Sequence, residues 1–184
     1  MNNSLKTKLK KIKCIMLDVD GVLTDGKIIV GTDGVEYKNF SVKDGVAIYI
    51  AEKAGIEFAI ISGRYSKINE TRAKEFRIKY VYQDLSNKLE PYEKIKIELN
   101  LKDEEICFIG DDLIDIPVMQ KCGFSAAPND ACKEVKKVSD FICKKKGGEG
   151  CVREIIEILL KIQGKWQECL NWYLNRENKN IKKN

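Results

Sequence analysis

The sequence predicts an α/β fold, a doubly wound parallel sheet with an inserted β-hairpin. Short apolar runs rich in Ile, Val and Phe recur at 14–17, 58–61, 79–82, 106–109, 123–126 and 140–142. The runs lack polar alternation, as expected for parallel strands covered on both faces by helices. The segments between them have the spacing of amphipathic helices.

Taken in order, residues 1–11 read as a basic tail and 12–163 as one domain. Helices fit 44–54, 65–76, 90–99, 115–121, 131–137 and 149–162. Between the first strand and the first helix, 27–38 holds two β-prone runs joined by Gly31-Thr32-Asp33-Gly34, the pattern of a hairpin. Trp166, Cys169, Leu170, Tyr173 and Leu174 fall at helical spacing, so 164–184 reads as a last helix with one apolar face and a basic tail.

The chain of 184 residues is 43% hydrophobic and 33% charged, with 13 Gly and 3 Pro, which excludes collagen-like, low-complexity and wholly disordered classes. Residues 1–13 carry five Lys and no acid, and 175–184 carry four basic residues and one Glu; of the net +5, residues 14–174 therefore hold −3. Nucleic acid is not the expected partner, because the positive charge lies off the folded body. No apolar run is long enough to insert in a membrane, and the lysine-rich start is charged too soon for a signal peptide, so a cytoplasmic protein is expected. Seven Cys form no C-x-x-C pair and read as small buried hydrophobes in a reducing compartment. There is no His at all, which removes Ser-His-Asp triads, histidine zinc sites and imidazole bases.

Ligands of open α/β sheets bind beyond the carboxyl ends of the strands, and there the sequence is informative. After the first run comes Asp18-Val19-Asp20-Gly21; after the second, Ser62-Gly63-Arg64; after the third, Ser86-Asn87-Lys88; after the fourth, Gly110-Asp111-Asp112-Leu113-Ile114-Asp115. Asp18, Asp20 and Asp111 brought together repel, and Mg²⁺, a hard cation, relieves that repulsion. Lys88 can hold Asp18 ionised, Ser62 can donate to phosphate oxygens, and an ionised Asp beside Mg²⁺ is a nucleophile for phosphorus. Each motif alone is compatible with a cap or turn; Asp115, just before Ile116-Pro117, is as good an N-cap as a site residue. Their order along the chain favours chemistry.

These four motifs resemble those of the haloacid dehalogenase superfamily of aspartyl-phosphate phosphatases. More narrowly, the chain resembles the family of 3-deoxy-D-manno-octulosonate 8-phosphate phosphatases through Leu23-Thr24-Asp25-Gly26, Phe40-Ser41-Val42-Lys43-Asp44-Gly45, Tyr82-Gln83-x-x-Ser86-Asn87-Lys88 and Gly147-Gly148-x-Gly150-x-x-Arg153-Glu154. Ser62 departs from the usual Thr, and residues beyond 160 match no motif of the family. The resemblance implies a capless fold and Asp18 as nucleophile, with Asp20 as general acid and then base. It implies Mg²⁺ on Asp18, Asp111 and the Asp20 carbonyl, with Asp112 and Asp115 around it, and phosphate on Ser62 and Lys88. It also implies a sugar-acid phosphate substrate, bound by Asp20, Lys88, Ser41, Val42, Lys43, Asp44, Gly45 and Tyr49, with Arg64, Arg72 and Lys43 as candidates for its carboxylate. A homotetramer built through neighbouring hairpins, and a place in lipopolysaccharide precursor synthesis, complete the expectation. A nine-carbon ulosonate 9-phosphate is the alternative substrate. A receiver-like phospho-acceptor domain fits less well, since a receiver carries its acid pair after the first strand and its acceptor after the third.

Overall fold

A computed structural model of the chain describes residues 3–181. Eight helices and eight strands are described, beginning with α1 (Asn3–Lys11), β1 (Cys14–Leu17), β2 (Ile29–Val30), β3 (Glu36–Tyr37), α2 (Val42–Lys53) and β4 (Glu57–Ile61). They continue with α3 (Lys67–Glu75), β5 (Tyr80–Tyr82), α4 (Leu89–Glu98), β6 (Ile106–Ile109), α5 (Ile116–Lys121), β7 (Phe124–Ala127), α6 (Lys133–Val138), β8 (Phe141–Ile142), α7 (Cys151–Ile162) and α8 (Trp166–Ile181). Six strands form one parallel sheet in the order β5-β4-β1-β6-β7-β8, and β2 pairs with β3 as a separate antiparallel hairpin. The order reverses at β1, so the crevice of a doubly wound sheet opens beside its carboxyl end. No gap between the strands holds a large cap.

Successive strand side chains feed two cores. Ile15, Leu17, Phe58, Ile60, Cys107 and Ile109 face α1, α2, α7 and α8, while Cys14, Met16, Ala59, Ile61, Ile106 and Phe108 face α4, α5 and α6. Burial on both faces is why these strands read as unbroken apolar runs. Six of the seven cysteines are buried, and no disulfide forms among the described residues. No helix among them is long and apolar enough to cross a membrane.

The expected strands and central helices form within a few residues of their predicted bounds, but the N-terminal segment is not the tail its lysines predict. Asn3–Lys11 is a helix whose Leu9 is buried and whose Leu5 packs on the first core, with Ile12 sealing its end. The spacing of Leu5, Leu9 and Ile12 is a helical stripe that the lysines obscure. At the other end, α8 docks through Cys169, Trp166 and Tyr173, while Leu174 is exposed and the Trp172 ring lies tilted against that of Tyr49, centroids 5.6 Å apart. The expected basic tail falls partly on 182–184, outside the described residues.

Helices α2 and α7 are joined by a carboxylate. Asp44, in the first turn of α2, accepts a 2.7 Å hydrogen bond from the backbone N–H of Arg153 in the first turn of α7. Gly150 precedes that turn at φ +103°, a conformation side chains resist. Burial pushes the Asp44 carboxyl up from 3.8 to about 6, against the pull of the α7 N–H groups. A carboxyl raised on folding takes up a proton between those values, so its contribution to stability falls as pH rises from about 4 to about 6, by on the order of 2–3 kcal/mol. Asp44→Asn keeps an acceptor without the charge, and its urea midpoint is expected to decline less over that window than the wild-type midpoint does.

Candidate active site

The topology places Asp18, Ser62 and Asp111 beyond the carboxyl ends of three neighbouring strands, β1, β4 and β6. The Asp18 N–H donates to Ile109 O at 3.0 Å and the Ser62 N–H to Tyr82 O at 2.9 Å, which continues the ladders one residue past the strands. Lys88, at the start of α4 beyond the edge strand β5, reaches inward with only 2% exposure. Its Nζ lies 2.5 Å from Asp18 Oδ1 and 2.6 Å from Asp115 Oδ1. The other oxygen of Asp115 accepts from the N–H groups of Asp111 (2.9 Å) and Asp112 (3.2 Å), folding 110–115 back on itself. Asp115 thus holds the loop and the lysine together, and its side chain does not cap α5. Asp112 is exposed and caps the following 3-10 turn by accepting from Leu113 N–H at 2.8 Å.

One oxygen each of Asp18, Asp111 and Asp115 lies within 4.8 Å of the others. Burial pushes Asp18 up to about 6, with Lys88 opposing and Asp115 adding. Burial pushes Asp111 up to about 8, with the charges of Asp18 and Asp115 adding. Lys88 is raised, because the two carboxylates outweigh the burial that would lower it. Three carboxylates around one ammonium are short of positive charge, and the set is all oxygen, as a hard dication prefers. Both oxygens of Asp115 are already engaged, so the residues that fit Mg²⁺ are Asp18 and Asp111, with Asp115 supporting them.

Asp20 does not join this cluster through its carboxylate, which turns to Lys38, a residue that the sequence reading missed. Lys38 Nζ stands 2.7 Å from Asp20 Oδ1 and 2.9 Å from Oδ2, with its side chain wholly buried. Asn69 and Gln83 stand behind it. The one available signal was position: Lys38 ends a hairpin inserted directly after the Asp18 loop.

The expected substrate residues divide. Ser41 is the N-cap of α2, and Val42 and Lys43 are exposed in its first turn. Asp44 is committed to α7, Gly45 is pressed on the Phe76 ring, where a Cβ would stand 2.5 Å from Cε1, and Tyr49 lies against Trp172 of α8. Arg64 pairs with Glu36 of the hairpin. Arg72 pairs with Glu75 and lies over the rings of Phe40 and Phe76 at 5.2 and 4.4 Å. Ser62 is buried with its hydroxyl donating to Arg64 O at 3.0 Å.

A haloacid dehalogenase-like hydrolase family matches residues 65–155. The 3-deoxy-D-manno-octulosonate 8-phosphate phosphatase KdsC of Salmonella typhi is 42% identical over 168 residues, covering 91% of this chain and 89% of its own. The chain belongs to the 3-deoxy-D-manno-octulosonate 8-phosphate phosphatase family. It is accordingly a phosphoric monoester hydrolase. The crystal structure of the Moraxella catarrhalis phosphatase in complex with magnesium, phosphate and KDO superposes with a TM-score of 0.91 at 36% identity, covering 94% of this chain and 99% of that one. The cobalt-bound Haemophilus influenzae phosphatase gives 0.83 at 36%, covering 86% and 93%.

In this phosphatase the glycine-rich loop before α7 has a steric reason. A Cβ on Gly147 would lie 1.9 Å from Gly21 O, and one on Gly148 2.5 Å from Asp25 N. Gly21 in turn, at φ +96°, leaves room for Asp111, whose Oδ2 would be 2.1 Å from a Cβ there. Gly147→Ala must therefore move the loop that carries Asp20. A shift of about 1 Å at a reacting group can lower kcat about 100-fold, whereas strain of this kind costs about 1–3 kcal/mol. Turnover is expected to fall well beyond the loss of folded protein measured in parallel by urea titration.

Proposed function

We propose that the chain hydrolyses 3-deoxy-D-manno-octulosonate 8-phosphate to the free sugar acid and phosphate through an aspartyl phosphate on Asp18. The observation that carries this reading is the buried Asp18–Lys88–Asp115 arrangement beside Asp111, in a chain 42% identical to a phosphatase named for that substrate. Lys88 keeps one oxygen of Asp18 occupied, so the other is the one that attacks phosphorus. As the new P–O bond forms, the bond to the sugar oxygen breaks. A sugar alkoxide is a poor leaving group, so Asp20 gives it a proton. Asp20 then takes a proton from water, which attacks the aspartyl phosphate and frees Asp18. The Ser62 hydroxyl and Lys88 are the donors for phosphate oxygens. Asp18 and Asp111, with the backbone carbonyl of Asp20, would hold Mg²⁺, which when bound neutralises charge on the phosphoryl oxygens.

For the sugar carboxylate, Lys43 is exposed in the first turn of α2 and Arg64 follows Ser62. The Arg64–Glu36 pair is partly solvent-exposed, hence weak and replaceable by a substrate carboxylate. The apolar hairpin residues Ile29 and Val30, 58% and 62% exposed, support assembly through hairpins, as in a homotetramer.

Phosphate release from eight-carbon and nine-carbon ulosonate phosphates, with and without Mg²⁺, tests the substrate. The highest kcat/KM is expected on the eight-carbon ester, and preference for the nine-carbon ester overturns the choice. Excess chelator is expected to abolish turnover and Mg²⁺ to restore it. Asp18→Asn, of equal size but no nucleophilicity, is expected to lose turnover entirely while still folding by circular dichroism, and to form no phosphorylated protein by intact mass. Turnover near wild type removes the covalent mechanism.

A further inference from the structure

The acid–base role of Asp20 demands that one carboxylate oxygen face the sugar oxygen and later the water, yet a carboxylate beyond a strand end rotates freely unless something holds it. Resting on that role, we infer that Lys38 is the positioning residue for Asp20, holding the plane of its carboxylate fixed for proton exchange.

The geometry is fully determined from behind. Gln83 Oε1 accepts from the Ser66 N–H at 3.0 Å and from Asn69 Nδ2 at 2.8 Å. Asn69 is wholly buried, and because its amide nitrogen is used on Gln83, its oxygen must point the other way, to Lys38 Nζ at 3.3 Å. The ammonium therefore has three acceptor atoms around it, Asn69 Oδ1 and the two oxygens of Asp20, and no exposure through which water could replace them. Its aligned hydrogen bond goes to Asp20 Oδ2. Asp20 Oδ1 is nearer still, at 2.7 Å, and buried, so the ammonium spans both oxygens and fixes the plane of the carboxylate.

The lysine is also fixed along the chain. Just past it, Asn39 Nδ2 donates to Asp25 Oδ2 at 3.1 Å and Phe40 bridges to Thr24, so the hairpin end is sewn to the loop that follows Asp20. A buried ammonium held this closely by neutral and anionic acceptors is a rigid strut, where a solvated lysine would be a loose one.

The test uses the full chain with Mg²⁺ and compares Lys38→Met, Lys38→Arg, Asp20→Asn and the double variant Lys38→Met/Asp20→Asn on the eight-carbon ester and on p-nitrophenyl phosphate. Nitrophenolate leaves without a proton, so its burst reports attack by Asp18, while the steady state reports hydrolysis, which needs Asp20. Asp20→Asn is expected to lose about 100-fold or more in kcat on the sugar ester and Lys38→Met about tenfold, with KM within about threefold of wild type. The nitrophenolate burst rate of Lys38→Met is expected within about threefold of wild type, followed by a slowed steady state. Lys38→Arg is expected to recover most of the loss, and the double variant to be no slower than Asp20→Asn alone, because Lys38 acts through Asp20. Losses that multiply in the double variant, a raised KM at unchanged kcat, or equal slowing of burst and steady state overturn the inference while leaving Asp20 in its role. Wild-type turnover of Asp20→Asn overturns that role and the inference together. Should Lys38→Met not fold by circular dichroism, Asn69→Ala frees the ammonium from its anchor, and the same split between burst and steady state must appear there or the inference fails.

Discussion

The strand ends are organised around the buried ammonium of Lys88. Lys88 enters from the sheet edge and lies between Asp18 of the β1 end and Asp115 of the β6 loop. Removing a charge of either sign from water is costly, and only close pairing offsets it. The pairing therefore fixes where β5, β1 and β6 end relative to one another. It also leaves an excess of carboxylates, since Asp111 remains beside the pair without an ammonium of its own, and burial with its acidic neighbours pushes it up to about 8. The same residues that lock the strand ends create the demand for a cation.

Much of this was legible because parallel sheets put chemistry at predictable places. Apolar runs marked the strands, and the segments just after three of them supplied Asp18, Ser62 and Asp111. Lys88, some residues past its strand, was legible as a charge of the right sign for an acidic cluster. Asp115 read equally well as an N-cap or as a site residue; its side chain does not cap α5, and its two oxygens divide instead between Lys88 and the N–H groups of Asp111 and Asp112. Only the fold shows that division.

What stayed hidden are contacts whose partners carry no motif. Lys38 sits in a β-prone run that reads as a solvated hairpin, and its burial depends on the hairpin folding back over Asp20. Asp44 lies in a loop motif that points to substrate, yet its carboxylate is used by α7. Tyr49 has helical spacing suited to a site, yet Trp172 of the last helix covers it. The N-terminal stripe of Leu5, Leu9 and Ile12 was present in the letters, but charge composition outweighed periodicity in reading it. In each case a tertiary partner distant in sequence decided the outcome.

The hairpin is where these threads meet. Its strand β2 exposes Ile29 and Val30, while three ties run inward from the other strand and the residues after it: Lys38 to Asp20, Glu36 to Arg64, and Phe40 with Asn39 to the Thr24-Asp25 segment. Two of the ties are of opposite character. The Lys38 ammonium is sealed from water and bound by a fixed relay of amides, so it is rigid; the Glu36–Arg64 pair is partly solvated, so it exchanges readily. A phosphatase without a large cap has no second domain to build the far wall of its site. Here a short insertion is tied to the strand-end loops, with one firm attachment to Asp20 and one exchangeable attachment to Arg64. A contact made on exposed Ile29 and Val30 would therefore bear, through these ties, on the residues at the strand ends.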